Sequence, residues 1–195
     1  MFLQETYSLE DCRWYDNQST DKTSNYVTRS GTVNKTFTQN EYITITGGTS
    51  EFNDMGLPFS VSTSENWCFE ADMQQTNYSN RIFIGMILIS TSNSSHKISN
   101  ILYTNEHASF GYGSPNSYLF RDSNVRGAIN TWYHFKWTLQ NGELIYQIYD
   151  NNNVLLSTHT ATLPSNYNNV EVYPCITRYE NSQTSRVKNI KFKPL

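Results

Sequence analysis

Two carboxylates placed two residues apart, Glu70 and Asp72, are the sharpest candidates for chemistry in this chain. They lie in Trp67-Cys68-Phe69-Glu70-Ala71-Asp72-Met73, where apolar and polar residues alternate. In an extended strand successive side chains point to opposite faces. Phe69, Ala71 and Met73 then face a core, and Glu70 and Asp72 share the outer face. Two carboxyls about 5–5.5 Å apart cleave glycosidic bonds with retention, one as nucleophile and one as proton donor. On a binding surface the same oxygens serve as ligand contacts, and on a plain surface they are a solvated polar face.

A second group offers the apolar platform and fixed polar groups that sugar binding needs. Tyr112, Tyr118 and Phe120 supply rings near Arg121 and Asp122, and Gly111 and Gly113 would let a ligand approach the backbone. Tyr173 and Arg178 are expected to reach the same face. The competing reading is ordinary core and sheet packing. His96, His107, His134 and His159 show no metal-ligand spacing, and no phosphate loop or nucleophile elbow occurs. Asp54, Asp122 and Asp150 are expected in turns; they could contribute to a calcium site, yet no loop motif marks one, so no cofactor is expected.

These residues must be positioned by strands. The stretch Asn130 to Asp150 carries Tyr133, Phe135, Trp137 and Leu139 on one side and Trp132, His134, Lys136 and Thr138 on the other. Asn141-Gly142 follows, a strong hairpin signal, and Leu144, Tyr146 and Ile148 resume the alternation. Further strands are expected at Ser24–Ser30, Thr32–Thr38, Tyr42–Thr46, Phe59–Ser62, Trp67–Gln74 and Arg81–Ser90. Others are expected at Ile101–Thr104, Ser109–Tyr112, Tyr118–Arg121, Val154–Thr160, Val170–Thr177 and Arg186–Phe192. Arg81–Ser90 is apolar on both faces, which suits a covered central strand. No segment carries a helical apolar stripe. Many short strands between polar turns predict an all-β sandwich or barrel.

Composition agrees. The 195 residues have a mean hydropathy of -0.60, with 16% charged and 14% aromatic residues, so polarity comes from Asn, Ser and Thr. Net charge is -3 with no basic block, which argues against nucleic-acid binding. Arg186, Lys188, Lys191 and Lys193 are read as the solvated face of a final strand. Cys12, Cys68 and Cys175 are far apart and odd in number, which favours free thiols. No apolar run approaches a membrane span, so no membrane insertion is expected.

In order and spacing, these segments resemble the concanavalin A-like lectin/glucanase sandwich over nearly the whole chain. Leu9-Glu10-Asp11 with Trp14 resembles its opening strand, and Trp67–Met73 its W-x-F-E-x-D strand. Ile84-Gly85-Met86-Ile87 resembles the next, often glycine-bearing strand. Thr131-Trp132-Tyr133-His134-Phe135 is similar to the W-Y-x-F strand of laminin-G-like domains, and Arg186–Phe192 to the closing strand. The resemblance implies one jelly-roll domain, 1–195, of two antiparallel sheets. Catalytic members of the glucanase branch carry a second Glu after Glu-x-Asp. Gln74 and Gln75 stand there instead, and an amide cannot protonate a leaving group.

The leading expectation is therefore a non-catalytic carbohydrate-binding module, with Glu70, Asp72, Tyr112, Tyr118, Arg121, Tyr173 and Arg178 as its ligand-binding residues. The Asn/Ser/Thr/Tyr-rich composition is similar to lectin-like modules of phage and archaeal virus fibres. It implies a virion or cell-surface attachment protein that meets cell-surface glycans in many copies, beside other virion or surface proteins. One alternative is a capsid or fibre decoration or homo-oligomerisation domain, with Phe83, Ile87 and Ile89 against a partner chain. Another is a glycoside hydrolase.

Overall fold

The computed structural model describes residues 12–47, 52–77, 83–112, 118–179 and 184–195. Its strands are β1 (Trp14–Asp16), β2 (Val27–Ser30), β3 (Val33–Thr38), β4 (Tyr42–Gly47), β5 (Phe52–Gly56), β6 (Val61–Ser62), β7 (Trp67–Gln75) and β8 (Phe83–Ser90). They continue with β9 (Lys97–Tyr103), β10 (Ala108–Tyr112), β11 (Tyr118–Asp122), β12 (Trp132–Gln140), β13 (Glu143–Tyr149), β14 (Leu155–Thr162), β15 (Glu171–Tyr179) and β16 (Thr184–Pro194). Two one-turn 3-10 segments, Thr23–Asn25 and Ser165–Tyr167, lie between strands.

These strands make two antiparallel sheets packed face to face. The first runs β14-β13-β12-β7-β16-β4-β3, with β1 laid along β16. The second runs β11-β10-β9-β8-β15-β5-β2, with β6 laid along β15. The expected hairpin is β12–β13. Asn141 (φ 53°) and Gly142 (φ 79°) both take the left-handed conformation that a two-residue turn requires. Along β12 the alternation holds: Tyr133, Phe135, Trp137 and Leu139 are buried, and the residues between them are half-buried.

The core lies between the sheets. Phe192 contacts Phe59, Trp67 and Phe69, with ring centroids 5.4, 5.7 and 6.4 Å away. Phe110 of the second sheet stacks on Tyr146 of the first at 5.1 Å. Each such fully buried side chain contributes about 1.5–3 kcal/mol of transfer free energy. This packing clamps the first sheet and leaves its other face to the surroundings.

The doubly apolar β8 behaves as its sequence suggests. Ile84, Met86 and Leu88 enter the core, while Ile87 and Ile89 form a small cluster with Cys175 on the opposite face. Ile87 and Ile89 are only 0% and 4% exposed, so they are already covered within the chain. This corrects the expectation that they present an open apolar patch; the Phe83 side chain lies outside the described residues. Gly85 is needed at its position, because a Cβ there would run into the backbone carbonyl oxygen of Asn100 on β9.

Strand β5 was not expected, and it corrects the reading of Asp54 as a turn residue. Asp54 is fully buried in that strand, accepts a 2.6 Å hydrogen bond from Thr177 and lies 3.4 Å from Lys97. Burial pushes its carboxyl up, against the pull of Lys97 and Thr177. Asp122 ends β11, and Asp150 accepts hydrogen bonds from the turn amides of Asn152 and Val154. Among the described residues no group of three His, Cys, Asp or Glu could hold a metal ion. Nor is any helix there long and apolar enough to cross a membrane.

Candidate functional site

The pairing registers lay out the outer face of the first sheet in rows. One row carries Thr44, Arg186, Gln74 and Trp132 from β4, β16, β7 and β12. The next carries Lys188, Asp72, His134 and Tyr149. The third carries Lys191, Glu70, Lys136 and Gln147. Glu70 and Asp72 thus share the outer face, as the alternation requires, while Phe69, Ala71 and Met73 are buried.

Their partners decide what they can do. His134 Nδ1 lies 2.8 Å from Asp72 Oδ1, and its Nε2 lies 3.9 Å from Glu70. Asn189 Nδ2 donates to the other Asp72 oxygen at 2.7 Å. Burial alone would raise the Asp72 carboxyl. The hydrogen bonds from His134 and Asn189, aided by the charges of His134 and Lys188, outweigh it and hold the group below the usual carboxylate range. A proton donor to a leaving group needs the opposite shift. Glu70 is met by Lys136 at 3.7 Å and Lys191 at 3.9 Å. The position of the absent acid is filled by Gln74, whose amide oxygen accepts from Arg186 Nη1 at 3.2 Å. The pair is arranged as a charge-balanced polar lattice.

Beside it lies a cavity of about 380 Å³, lined by Asn17, Gln18, Asn40, Glu41, Tyr42, Trp132, Lys188 and Asn189. The Tyr42 and Trp132 rings stand 6.4 Å apart at 42°. Each carries a cation: Arg186 lies 4.5 Å from the Tyr42 centroid, and Lys188 lies 4.4 Å from that of Trp132. The rim is built from three left-handed residues, Gln18 (φ 61°), Asn40 (φ 58°) and Asn189 (φ 51°). Gln18 is 1% exposed and ties them together. Its side-chain oxygen accepts from Asn189 N at 3.1 Å, and its carbonyl accepts from Asn40 N at 2.7 Å. Its own backbone N–H donates to Asp16 Oδ1 at 2.9 Å.

The remaining expected ligand residues do not gather here. Tyr112 packs on the core, stacked 5.9 Å from Tyr167, and its hydroxyl donates to the Thr162 carbonyl at 3.0 Å. Phe120 stacks on His159 at 4.4 Å. Arg121 is the next residue on β11, so it points the other way from Phe120 and is exposed. The Tyr118 side chain and Gly113 lie outside the described residues. Tyr173 and Arg178, five apart on β15, fall on opposite faces. Tyr173 sits under Arg29 at 3.5 Å on the far face of the second sheet, and Arg178 is buried, 1% exposed. Burial lowers the Arg178 guanidinium to about 10. The expectation that Tyr112, Tyr173 and Arg178 meet on one face is thereby corrected.

Sequence reasoning missed Tyr42, Trp132, Gln18 and Asn189. The period of two marks Trp132 and Lys188 as outward, but nothing local says that they are neighbours. A second cavity, about 450 Å³, lies at one end of the sandwich by the β12–β13 turn; Thr63, Ser64, Asn66, Asn141, Asn168 and Asn169 line it, without an aromatic ring.

No family model matches this chain, and no curated protein matches it. Solved structures do. A carbohydrate-binding module, CBM66, from Bacillus subtilis matches with a TM-score of 0.64 at 12% identity, covering 88% of this chain and 97% of that one. Peanut lectin matches with a TM-score of 0.70 at 9% identity, over 93% and 96%. The lectin UEA-II complexed with galactose matches with a TM-score of 0.64 at 8% identity, over 92% and 97%. At such identities the likeness speaks for architecture alone, and that architecture is the concanavalin A-like, jelly-roll β-sandwich.

Proposed function

We propose that this protein is a non-catalytic carbohydrate-binding module that holds a saccharide on the outer face of the first sheet, in the cavity between Tyr42 and Trp132. The observation that carries this reading is the aromatic pair itself. Two half-buried rings frame a cavity otherwise lined by amides and charges, which is the mixture of apolar platform and fixed polar groups that a sugar needs. The hydrogen-bonded Asp72, held ionised, supports binding over hydrolysis. That CBM66 and several lectins share the architecture adds support. A shallow site of this size binds weakly alone and gains by multivalent display, which is the supporting reason for extending the proposal to a virion or cell-surface attachment protein.

The test is a glycan array with wild type, Trp132→Ala and Tyr42→Ala. Retention of a saccharide by wild type, reduced about tenfold in each variant, is expected. Absence of any glycan bound by folded wild type would sink the reading, and turnover of a bound polysaccharide would replace it with the hydrolase alternative.

A further inference from the structure

Resting on the carbohydrate reading, we infer that the saccharide taken by the Tyr42–Trp132 cavity is anionic, carrying a carboxylate or a sulfate ester that pairs with Arg186 and Lys188. The chain as a whole is acidic, at -3, yet the outer face of the first sheet is not. Lys136, Arg186, Lys188, Lys191 and Lys193 stand there against three carboxylates, Glu70 and Asp72 in the middle and Glu143 at the β12–β13 turn. The middle two are already engaged. Glu70 shares Lys136, Lys191 and His134, and Asp72 is held by His134 and Asn189, with Lys188 acting on it through space but making no direct ion pair.

Arg186 and Lys188 therefore have no carboxylate within 4.0 Å among the described residues. Arg186 bonds the neutral amide of Gln74, at the position where the glucanase pattern has an acid. An acid there would have neutralised it. Both cations instead rest on the rings that frame the cavity, Arg186 on Tyr42 and Lys188, itself a lining residue, on Trp132, which fixes their positions without cancelling their charge. An incoming anion can pair with them without breaking an ion pair, and charge-assisted bonds are the strong ones. One acid, Glu41, also lines the cavity, on its exposed rim, and opposes the anion.

The experiment sets matched probes against the intact chain: galactan with polygalacturonate, dextran with dextran sulfate, and poly-glutamate as a polyanion without sugar. Binding to an acidic polysaccharide only, weakening between about 50 and 200 mM salt, is expected. Lys188→Gln should lower that affinity about tenfold or more, and Glu41→Gln should raise it. The second variant keeps the test open if the first fails to fold. Polygalacturonate and dextran sulfate separate a carboxylate from a sulfate source. Equal binding of neutral and acidic partners overturns the inference and leaves the carbohydrate reading standing. Binding of poly-glutamate as tight as the acidic polysaccharide overturns the inference as well. No binding to any probe, with a glycan-array hit among neutral sugars, overturns the inference alone; no hit anywhere removes both.

Discussion

His134 on β12 stands directly across from Asp72 on β7, with Nδ1 2.8 Å from Oδ1. A cross-strand pair of this kind fixes both side chains and keeps the carboxylate ionised, because losing the charge would forfeit the bonds from His134 and Asn189.

Acid should therefore loosen the fold through Asp72. Its folded pKa lies below the ordinary carboxylate value, so its contribution is fully present above the unfolded pKa and is lost as pH falls through the folded one. Urea midpoints should decline as pH drops below about 4, and Asp72→Asn should flatten that decline. At neutral pH the variant should cost about 1.5–3 kcal/mol, the range for a hydrogen bond to a charged group. An unchanged acid limb in Asp72→Asn would show that other carboxylates carry the effect.

Gln74→Glu should place a carboxylate against Arg186. Stability at neutral pH should move by less than about 1 kcal/mol, since a largely buried ion pair gains attraction and loses hydration together. Affinity for an acidic polysaccharide should fall about tenfold, measured by calorimetric titration. Unchanged affinity would mean that Arg186 is not a ligand contact.

Gly85→Ala should be costly although Gly85 lies in a strand. The added carbon would meet the Asn100 carbonyl oxygen of the paired strand β9, and backbone there cannot rotate away. A loss of about 1–3 kcal/mol in chemical denaturation is expected, as for overpacking. The neighbouring Ile84→Val should cost only about 0.5–1.5 kcal/mol.

Thiol labelling should separate the three cysteines. Burial, aided by Glu70, pushes the Cys68 thiol up to about 12, and burial pushes Cys175 well above its usual value. Cys12 is only partly buried. At pH 8 an alkylating reagent should modify one thiol in the native protein and all three in denaturant. Rapid native labelling of two would show that one of the sheets opens locally.

The fold was legible where burial is one-sided. Strand β12 announced itself because every second residue is apolar, and β7 did so for the same reason. Strand β5 did not, because Asn53 and Asp54 read as turn residues. They are tolerated in a sheet because the Asn53 side chain accepts the Thr32 amide and Asp54 accepts Thr177. The site was legible only in part. Alternation put Glu70, Asp72, Trp132 and Lys188 outward, but pairing of β16 between β7 and β4 brings together residues more than a hundred positions apart. No local pattern encodes that pairing. Tyr112 and Arg121 were judged by residue type, and type does not say which side of a strand a residue occupies. A register shift between Phe110 and Gly111 further disturbs the alternation where β10 meets β11.

The Gln18 crosslink has a consequence for timing. If the cavity takes a ligand as proposed, three separate segments of chain are already pinned at its rim, so those described segments need no ordering on binding. Arrival is then set by diffusion and charge, and differences between ligands are expressed in how long each one stays.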